Sequence, residues 1–523
     1  MALSLKIPAL EDKPLISAET RTYKITQFIQ ALPATKPLET ASLLLEEMQV
    51  LNRQKVAPDS RVKALEVYRP ALTNITENLT AQFWNAPLPL SANAKKYAAA
   101  AESLWLELGY GYKLALIDQQ SKLFSLSSSK FNALVVTRAL EAISQLAMVY
   151  YHTYSTLPSS VWGDLHQLYL FAVQQSLQDI EVSTDGVHKQ SASASLTYKQ
   201  ALLMSLADPQ HLAPNDIRLV ADYIKRNAGR TQLQGLGLPA NPAGIFLINL
   251  DSENPPIPYV KNKEEVNAST DILFITVDLA RLVHKHIQSL QAGEPVNTAE
   301  LPENATDPRY QDILTYLIKH WGTTPKRVFN RSRKSDGVQL GIGIAATHYF
   351  ISGENYYVGP SDPYDLTEIT TKATGNRAHK ASSWQVLNIS AGGMALRKLP
   401  NAEVNVRVGE LLSVKNGAAD NWSVGVLRWL NNNEQQLDVG AQLIAPEAQA
   451  AGARIVNQSR FEPVLILPGL DALKQAPSMV AACGTYGPAR VLELEEDGKI
   501  SRIMITRLVE RTGSFERFNF SYL

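Results

Sequence analysis

"KRVFNRSRKSDGVQLGIG" (326–343) sets a cluster of cations at the mouth of an alternating apolar run. Lys326, Arg327, Arg331, Arg333 and Lys334 all fall within nine positions. A strand entry ordinarily carries turn residues, so the cluster is either a solvated edge or a clamp for an anion. The residues downstream decide between the two, and with them the fold of this half of the chain.

After 322 the pattern is β. "GVQLGIGIAATHYFIS" (337–352), "WQVLNISAGGMALRK" (384–398), "LLSVKN" (411–416), "WSVGVLRWLNN" (422–432) and "QLDVGAQLIAP" (436–446) alternate and are divided by Gly, Asn and Asp. Short strands at such spacing predict a small barrel. A polar stretch, 353–382, interrupts it as an excursion. After "EAQAAGARIVNQS" (447–459) comes a second β segment, with "EEDGK" (495–499) as a hairpin turn.

Upstream, residues 20–230 read as successive helices. "LETASLLLEEMQVLNRQ" (38–54), "KKYAAAAESLWLELGYGYKLALID" (95–118), "SKFNALVVTRALEAISQLAMVYYHTY" (129–154) and "WGDLHQLYLFAVQQSLQDI" (162–180) carry apolar residues at helical spacing. A Pro-containing break splits 195–226 into a helical hairpin. The pairing suggests a helical-repeat-like array, although no strict period is present. Trp105, Tyr110, Tyr112, Tyr150, Tyr151 and Tyr154 read as inter-helix core. Residues 231–320 are mixed: strands in 244–260, a strand turning to helix in 271–293, and a last helix in 307–322. "GLGLPANPAG" (235–244) precedes its strand, the wrong order for a dinucleotide fingerprint.

The fold class expected is multidomain α+β. A helical domain (1–230) is followed by a mixed α/β segment (231–320), a six-stranded barrel (321–450, with the insertion 353–382) and a small C-terminal β module (451–523).

The 523 residues are 45% apolar, enough for several cores. Lys and Arg total 50, as do Asp and Glu, so the chain lacks the basic footprint of a duplex-binding protein and any anion site is local. The single cysteine, Cys483, excludes an internal disulfide or a thiolate cluster and reads as a small buried residue. The N-terminus has no signal-peptide pattern, and "LFITVDLARLV" (273–283), with Asp278 and Arg281, is too short to span a membrane. No window is expected to reach that length, and the cytoplasm is the expected compartment. No catalytic triad, Walker loop or metal cluster is found; His284 and His286 lack a carboxylate motif. "ELEED" (493–497) reads as a solvated turn, not a calcium loop.

R-x-x-x-R alone means little, since Arg226/Arg230 and Arg507/Arg511 repeat the spacing. What distinguishes Arg327/Arg331 is "NISAGG", with Asn388, Ser390 and Gly393 in an N-x-S-x-x-G pattern that occurs nowhere else in the chain. By itself that pattern reads as a tight turn.

Together the two motifs resemble the PilZ domain, a bacterial receptor module for cyclic di-GMP. The resemblance covers roughly 320–450 and extends to "WQVLNISAGGMAL", "VGVLRWL" and "LDVGAQLIAP". It implies a six-stranded barrel with the arginine segment just ahead of its first strand. It implies cyclic di-GMP as ligand, with Arg327 and Arg331 on phosphates and guanine edges, and Asn388, Ser390 and Gly393 shaping the opposite wall. Lys326 stands where many members have another arginine, and Arg333 is a possible second phosphate contact.

The chemistry agrees independently. A guanidinium donates two parallel N–H bonds to a phosphate or to guanine O6 and N7 and stacks on a purine, and a lysine cannot do both. Gly393 removes a Cβ where a flat base approaches. From Arg331 to Asn388 is 57 residues, longer than the family pattern, and 353–382 takes up the excess. Trp384 and Trp429 read as barrel core.

The function expected is a cytoplasmic cyclic di-GMP effector, not an enzyme, with no cofactor and no GGDEF or EAL signature. It acts in motility, pili, biofilm or polysaccharide control through an unidentified protein partner of the helical region. One or two ligand molecules per site stays open. The alternatives are a constitutive scaffold whose barrel binds no nucleotide, and a nucleic-acid-binding regulator read by the helices.

Overall fold

The helical pattern becomes helices wherever caps and prolines allow it to start. The computed structural model describes residues 3–12, 14–120, 128–183, 191–237, 243–260, 267–322, 332–333, 337–360, 379–390, 392–417, 421–433, 436–469 and 476–523. Contacts divide the chain into two units. One holds Met1–Ala86, Leu90–Pro209 and Pro214–Lys326; the other holds Pro87–Pro89, Gln210–Ala213 and Arg327–Leu523.

The first unit carries Thr22–Gln30 (α1), Pro37–Asn52 (α2), Pro58–Thr80 (α3), Ala92–Gln120 (α4), Ser129–His152 (α5) and Ser159–Gln174 (α6). A two-stranded ribbon, Val182–Ser183 (β1) with Ser191–Ala192 (β2), leads to Ala194–Leu206 (α7) and Pro214–Asn227 (α8). Proline opens α2 and α3, where its missing N–H costs nothing. The Ser128 hydroxyl accepts from Phe131 N–H at the start of α5, and Ser193 does the same for Leu196 at α7. Arg61, fully buried, donates to the carbonyls of Leu51 and Gln54 at 2.7 and 2.8 Å and so satisfies the C-terminal end of α2.

α4 and α5 form the centre. α5 is long and apolar enough to cross a membrane, contrary to the expectation that no window reaches that length, but about two-thirds of its most apolar stretch is buried. Its apolarity is that of a core helix with neighbours on several sides. Of the aromatic positions, Tyr112, Tyr154 and Trp105 are buried as expected, while Tyr110 and Tyr150 line a cleft.

The mixed segment completes this unit. Gln232–Gly235 (β3), Ile245–Asn249 (β4), Ile257–Pro258 (β5) and Asp271–Ile275 (β6) form an antiparallel sheet in the order β3-β6-β4-β5. Val277–Gln291 (α9) and Pro308–Gly322 (α10) pack on each other. Trp321 at the end of α10 is fully buried and donates to the Leu203 carbonyl of α7.

The second unit is two barrels. Ser332–Arg333 (β7), Gly337–Ile342 (β8), Ser382–Ser390 (β9), Gly393–Lys398 (β10), Leu411–Asn416 (β11), Ser423–Asn433 (β12) and Gln436–Ala445 (β13) build the first. β9 pairs with β8 on one side and β10 on the other, closing the ring β8-β11-β12-β13-β10-β9. The predicted six-stranded barrel is therefore present, with β7 added along β9.

One expectation fails here. "GIGIAATHYFIS" does not continue the strand; Ile344–Ile351 is a helix (α11), so α10 is not the last. Gly343, at φ +90°, turns the chain out of β8, and the Ala345–Ala346 pair suits a helix.

The C-terminal β module is a closed barrel of Gln449–Ile455 (β14), Glu462–Leu467 (β15), Ser478–Ala481 (β16), Val491–Glu496 (β17), Lys499–Arg511 (β18) and Glu516–Tyr522 (β19), in the order β14-β15-β16-β19-β18-β17. "EAQAAGARIVNQS", set ahead of the β segment by the sequence reading, supplies its first strand, β14. The "EEDGK" hairpin is as expected: Glu496 pairs with Lys499 across Asp497 and Gly498, both at positive φ.

Met479, Leu492, Leu494, Ile503 and Phe518 fill this barrel. A separate cluster joins the outer faces of the two barrels: Leu411, Val424, Val426 and Ala445 from the first meet Leu465, Leu467, Val480 and Phe515 from the second.

Candidate functional site

The N-x-S-x-x-G motif lies on β9, its turn, and the first residue of β10. Ser390 pairs with Gly393 across the two-residue connection, and its hydroxyl donates to the Gly393 carbonyl at 3.2 Å. The register slips by one between Ala395 and Leu396, leaving Leu387 as an extra residue on β9. Bulges of this kind re-aim side chains. Val386 and Leu396 point into the barrel, while Asn388 sits opposite Ala395 on the other face.

Gly393 is fixed by its neighbour strand. A Cβ there would lie 2.2 Å from the Ala441 carbonyl oxygen of β13. This close approach of β10 to β13 is a sufficient reason for glycine, whatever approaches from outside.

The residues next after the arginine motif run beside this wall. Ser332 pairs with Ile389 and Arg333 with Asn388. Arg331 is the residue next before Ser332. Lys326, Arg327 and Arg331 themselves lie outside the described residues, as does the side chain of Arg333. The two residues that follow the first motif in sequence thus pair with the middle of the second.

Cross-strand partners share a face, so the register defines what surrounds the motif. One row runs Asn388, Ala395, Gly440, Trp429. The next holds Ser390, Gly393, Gln442 and Val426. Trp384 is core, fully buried, with its indole N–H on Ser382 Oγ at 2.9 Å. Trp429 is not: it is half-buried on the outer face, its Nε1 only 1.8 Å from where a Gly440 side chain would begin. Its ring centroid is 6.4 Å from that of His211. Burial of Trp429 in the barrel was expected because the strand alternates, but a register slip between Leu427 and Trp429 turns the indole outward.

Two further arginines face the same side and were missed by motif reading. Arg397 donates twice to Asp438, at 2.7 and 2.8 Å, and this bidentate pair holds its guanidinium pKa above the usual value. Arg428 sits at the β12 slip, donating from Nε to Gln442 Oε1 at 2.6 Å and from Nη1 to Glu510 of β18. Its only sequence signal is an arginine beside a tryptophan in an otherwise apolar run.

Other candidates resolve structurally. His286 is buried between Tyr223 OH at 3.0 Å and Glu300 at 3.2 Å, and burial lowers its pKa. Among the described residues no cluster of His, Cys, Asp and Glu has the makings of a metal site. Cys483 is exposed, not buried as expected, because it falls in the turn after β16, where Thr485 N–H reaches back to Ala482. In the helical unit a cleft of about 190 Å³ has the Lys113–Asp164 pair (2.6 Å) in its lining. Burial pushes the Lys113 pKa down and the carboxylate opposes it.

Comparison with known proteins agrees with this architecture. Three family models match in chain order: the N-terminal domain of the cyclic-di-GMP receptor FimW over 23–240, its middle PilZ domain over 245–360 and 360–450, and the FimW C-terminal β-barrel domain over 450–523. The middle model takes in β4–β6 of the mixed sheet and α9–α10 together with the first barrel, while β3 falls within the range of the N-terminal model. The cyclic-di-GMP receptor FimW of Pseudomonas aeruginosa PAO1 is 22% identical over 574 aligned positions, covering 99% of this chain and 93% of the relative. The chain is a PilZ-domain protein, with a helical domain ahead of its PilZ barrel and a second barrel behind it.

Proposed function

We propose that the protein is a cyclic di-GMP effector of the bacterial cytoplasm. The ligand is gripped between Arg327 and Arg331 on one side and Asn388 and Ser390 on the barrel wall, with Gly393 keeping the wall flat. Lys326 and Arg333 supply secondary phosphate contacts. The observation that carries this reading is the pairing of Ser332–Arg333, the residues next after Arg331, with Ile389–Asn388. The likeness to a protein described as a cyclic-di-GMP receptor supports it.

The chemistry suits the ligand. Two phosphodiesters and two purine faces demand cations that bond in a plane and stack, which guanidinium does. The ligand shifts the conformation only by the difference in its affinity for the two states. A protein partner of the helical unit reads the shift, in pilus, motility, biofilm or polysaccharide control.

Calorimetry on the full chain with cyclic di-GMP, GTP and a short RNA tests the reading. Heat is expected with the cyclic dinucleotide alone. Arg331→Ala should weaken binding at least about tenfold, the loss of one charge-assisted contact. No heat with any ligand would leave the scaffold reading, and heat with RNA would point to the helices as a nucleic-acid reader.

A further inference from the structure

Arg428 stands on the outer face of the PilZ barrel, close to the motif wall. Its Nε is anchored on Gln442, which is the register partner of Gly393. Its Nη1 reaches the other way, to Glu510 on β18 of the second barrel. The side chain is one-third exposed and Glu510 about one-fifth, so solvent reaches the pair. A single arginine therefore spans from the strand beside the motif to the neighbouring barrel.

Glu510 is not dependent on Arg428. Arg517 faces it across β18–β19, close enough to feel its charge, and is itself tied to Ser478 Oγ at 2.9 Å. If Arg428 moves, the carboxylate keeps a cation on its own barrel. The cost of breaking the inter-barrel pair is thereby limited, because no buried charge is left alone. The apolar contact of Leu411, Val424 and Val426 with Leu465, Val480 and Phe515 holds the barrels together independently of that ion pair. Arg397 is different: its bidentate partner Asp438 lies on the adjacent strand of the same barrel, and the pair stays closed.

We propose that Arg428 is a further ligand residue of the PilZ wall, held in reserve by Glu510 of the C-terminal barrel. A phosphodiester arriving beside Ser390 and Gly393 competes with Glu510 for the Nη end of the guanidinium, while Nε stays on Gln442 as a pivot. The second barrel thus sets the affinity of the first. This inference rests on the cyclic di-GMP reading above and adds to it a counter-ion that ligand must displace.

Titration calorimetry of the full chain with cyclic di-GMP decides it, using Glu510→Gln, Arg428→Ala and the double variant. Glu510→Gln removes the competing charge with little change of size and should tighten binding by about threefold or more. Arg428→Ala should weaken it about tenfold. In the double variant Glu510→Gln should have no effect, because its target is gone. A purely structural ion pair predicts the opposite for Glu510→Gln: unchanged or weaker binding. That result overturns the inference, as does a gain of equal size with and without Arg428. Should Arg428→Ala fold poorly, Arg428→Gln takes its place in both the single and the double variant. Unsubstituted protein that gives no heat removes the cyclic di-GMP reading itself, and this one with it. Binding that is abolished by Arg331→Ala yet indifferent to residues 428 and 510 removes only this one.

Discussion

Gly393 shows how one missing methyl group lets two strands of the wall pack closely. With Ala441 O 2.2 Å from the position of a Cβ, an alanine must push β10 off β13 or bend both. Gly393→Ala is expected to destabilise the protein by about 1–3 kcal/mol, the usual cost of overpacking. It should also weaken cyclic di-GMP binding, because Ser390 bonds the Gly393 carbonyl and moves with it. Urea unfolding and calorimetry on the same variant check both, and an unchanged midpoint would refute the packing argument. The two motifs stand out in the sequence only in combination, since R-x-x-x-R recurs and N-x-S-x-x-G alone reads as a turn. Arg428 does not stand out, since nothing in "VLRWL" announces a strand slip.

At the scale of the element, the helices carry buried histidines whose charge the fold refuses. His166 on α6 is fully buried, with Nε2 on the Asn254 carbonyl at 2.8 Å and Nδ1 on Tyr198 OH at 2.6 Å. A carbonyl only accepts, so Nε2 carries the proton of the neutral ring and Nδ1 accepts from the tyrosine. Burial lowers its pKa to about 4, and His152 at the end of α5 is lowered to about 4 in the same way, with Arg218 adding repulsion. The unfolded chain takes up these protons first, near pH 6.5. Stability is therefore full above that pH and falls as pH drops from about 6.5 to 4, by roughly 3 kcal/mol for each histidine. Melting followed by helical circular dichroism should show a lower midpoint at pH 4.5 than at pH 7.5. His166→Gln should flatten part of that slope, and a pH-independent midpoint would refute the assignment. The helices themselves were readable because amphipathic periods of 10 residues or more are hard to mistake. α11 was misread because a short apolar run fits either period, and only Gly343 marked the break. β14 was missed because "QAAGARI" is too poor in β-branched residues to look like a strand.

For the whole molecule, the second barrel was visible only as a series of strand-like runs, because alternation shows a face but not a pairing partner. Which strands close the ring, and which outer faces meet, depends on contacts far apart in sequence. Phe515 is fully buried in the cluster between the barrels. Phe515→Ala should cost about 3–5 kcal/mol, as truncation of a buried aromatic does. Because the cluster belongs to both barrels, they should unfold together in one denaturant transition at lower midpoint. Two separated transitions in the unsubstituted protein would refute the shared core.

The segment that follows β8 has a mechanical consequence of its own. α11 places His348 Nε2 3.2 Å from the Ala451 carbonyl, and Tyr357 beyond it donates to Glu495 at 3.0 Å, so this arm is bolted to the C-terminal barrel. On the far side of 361–378, β9 is stitched into the PilZ barrel by three partner strands. A chain divided into residues 1–360 and 379–523 and co-expressed should therefore reassemble. The two fragments should travel as one species through size-exclusion chromatography and part only in denaturant, making the protein a natural candidate for split-reporter engineering.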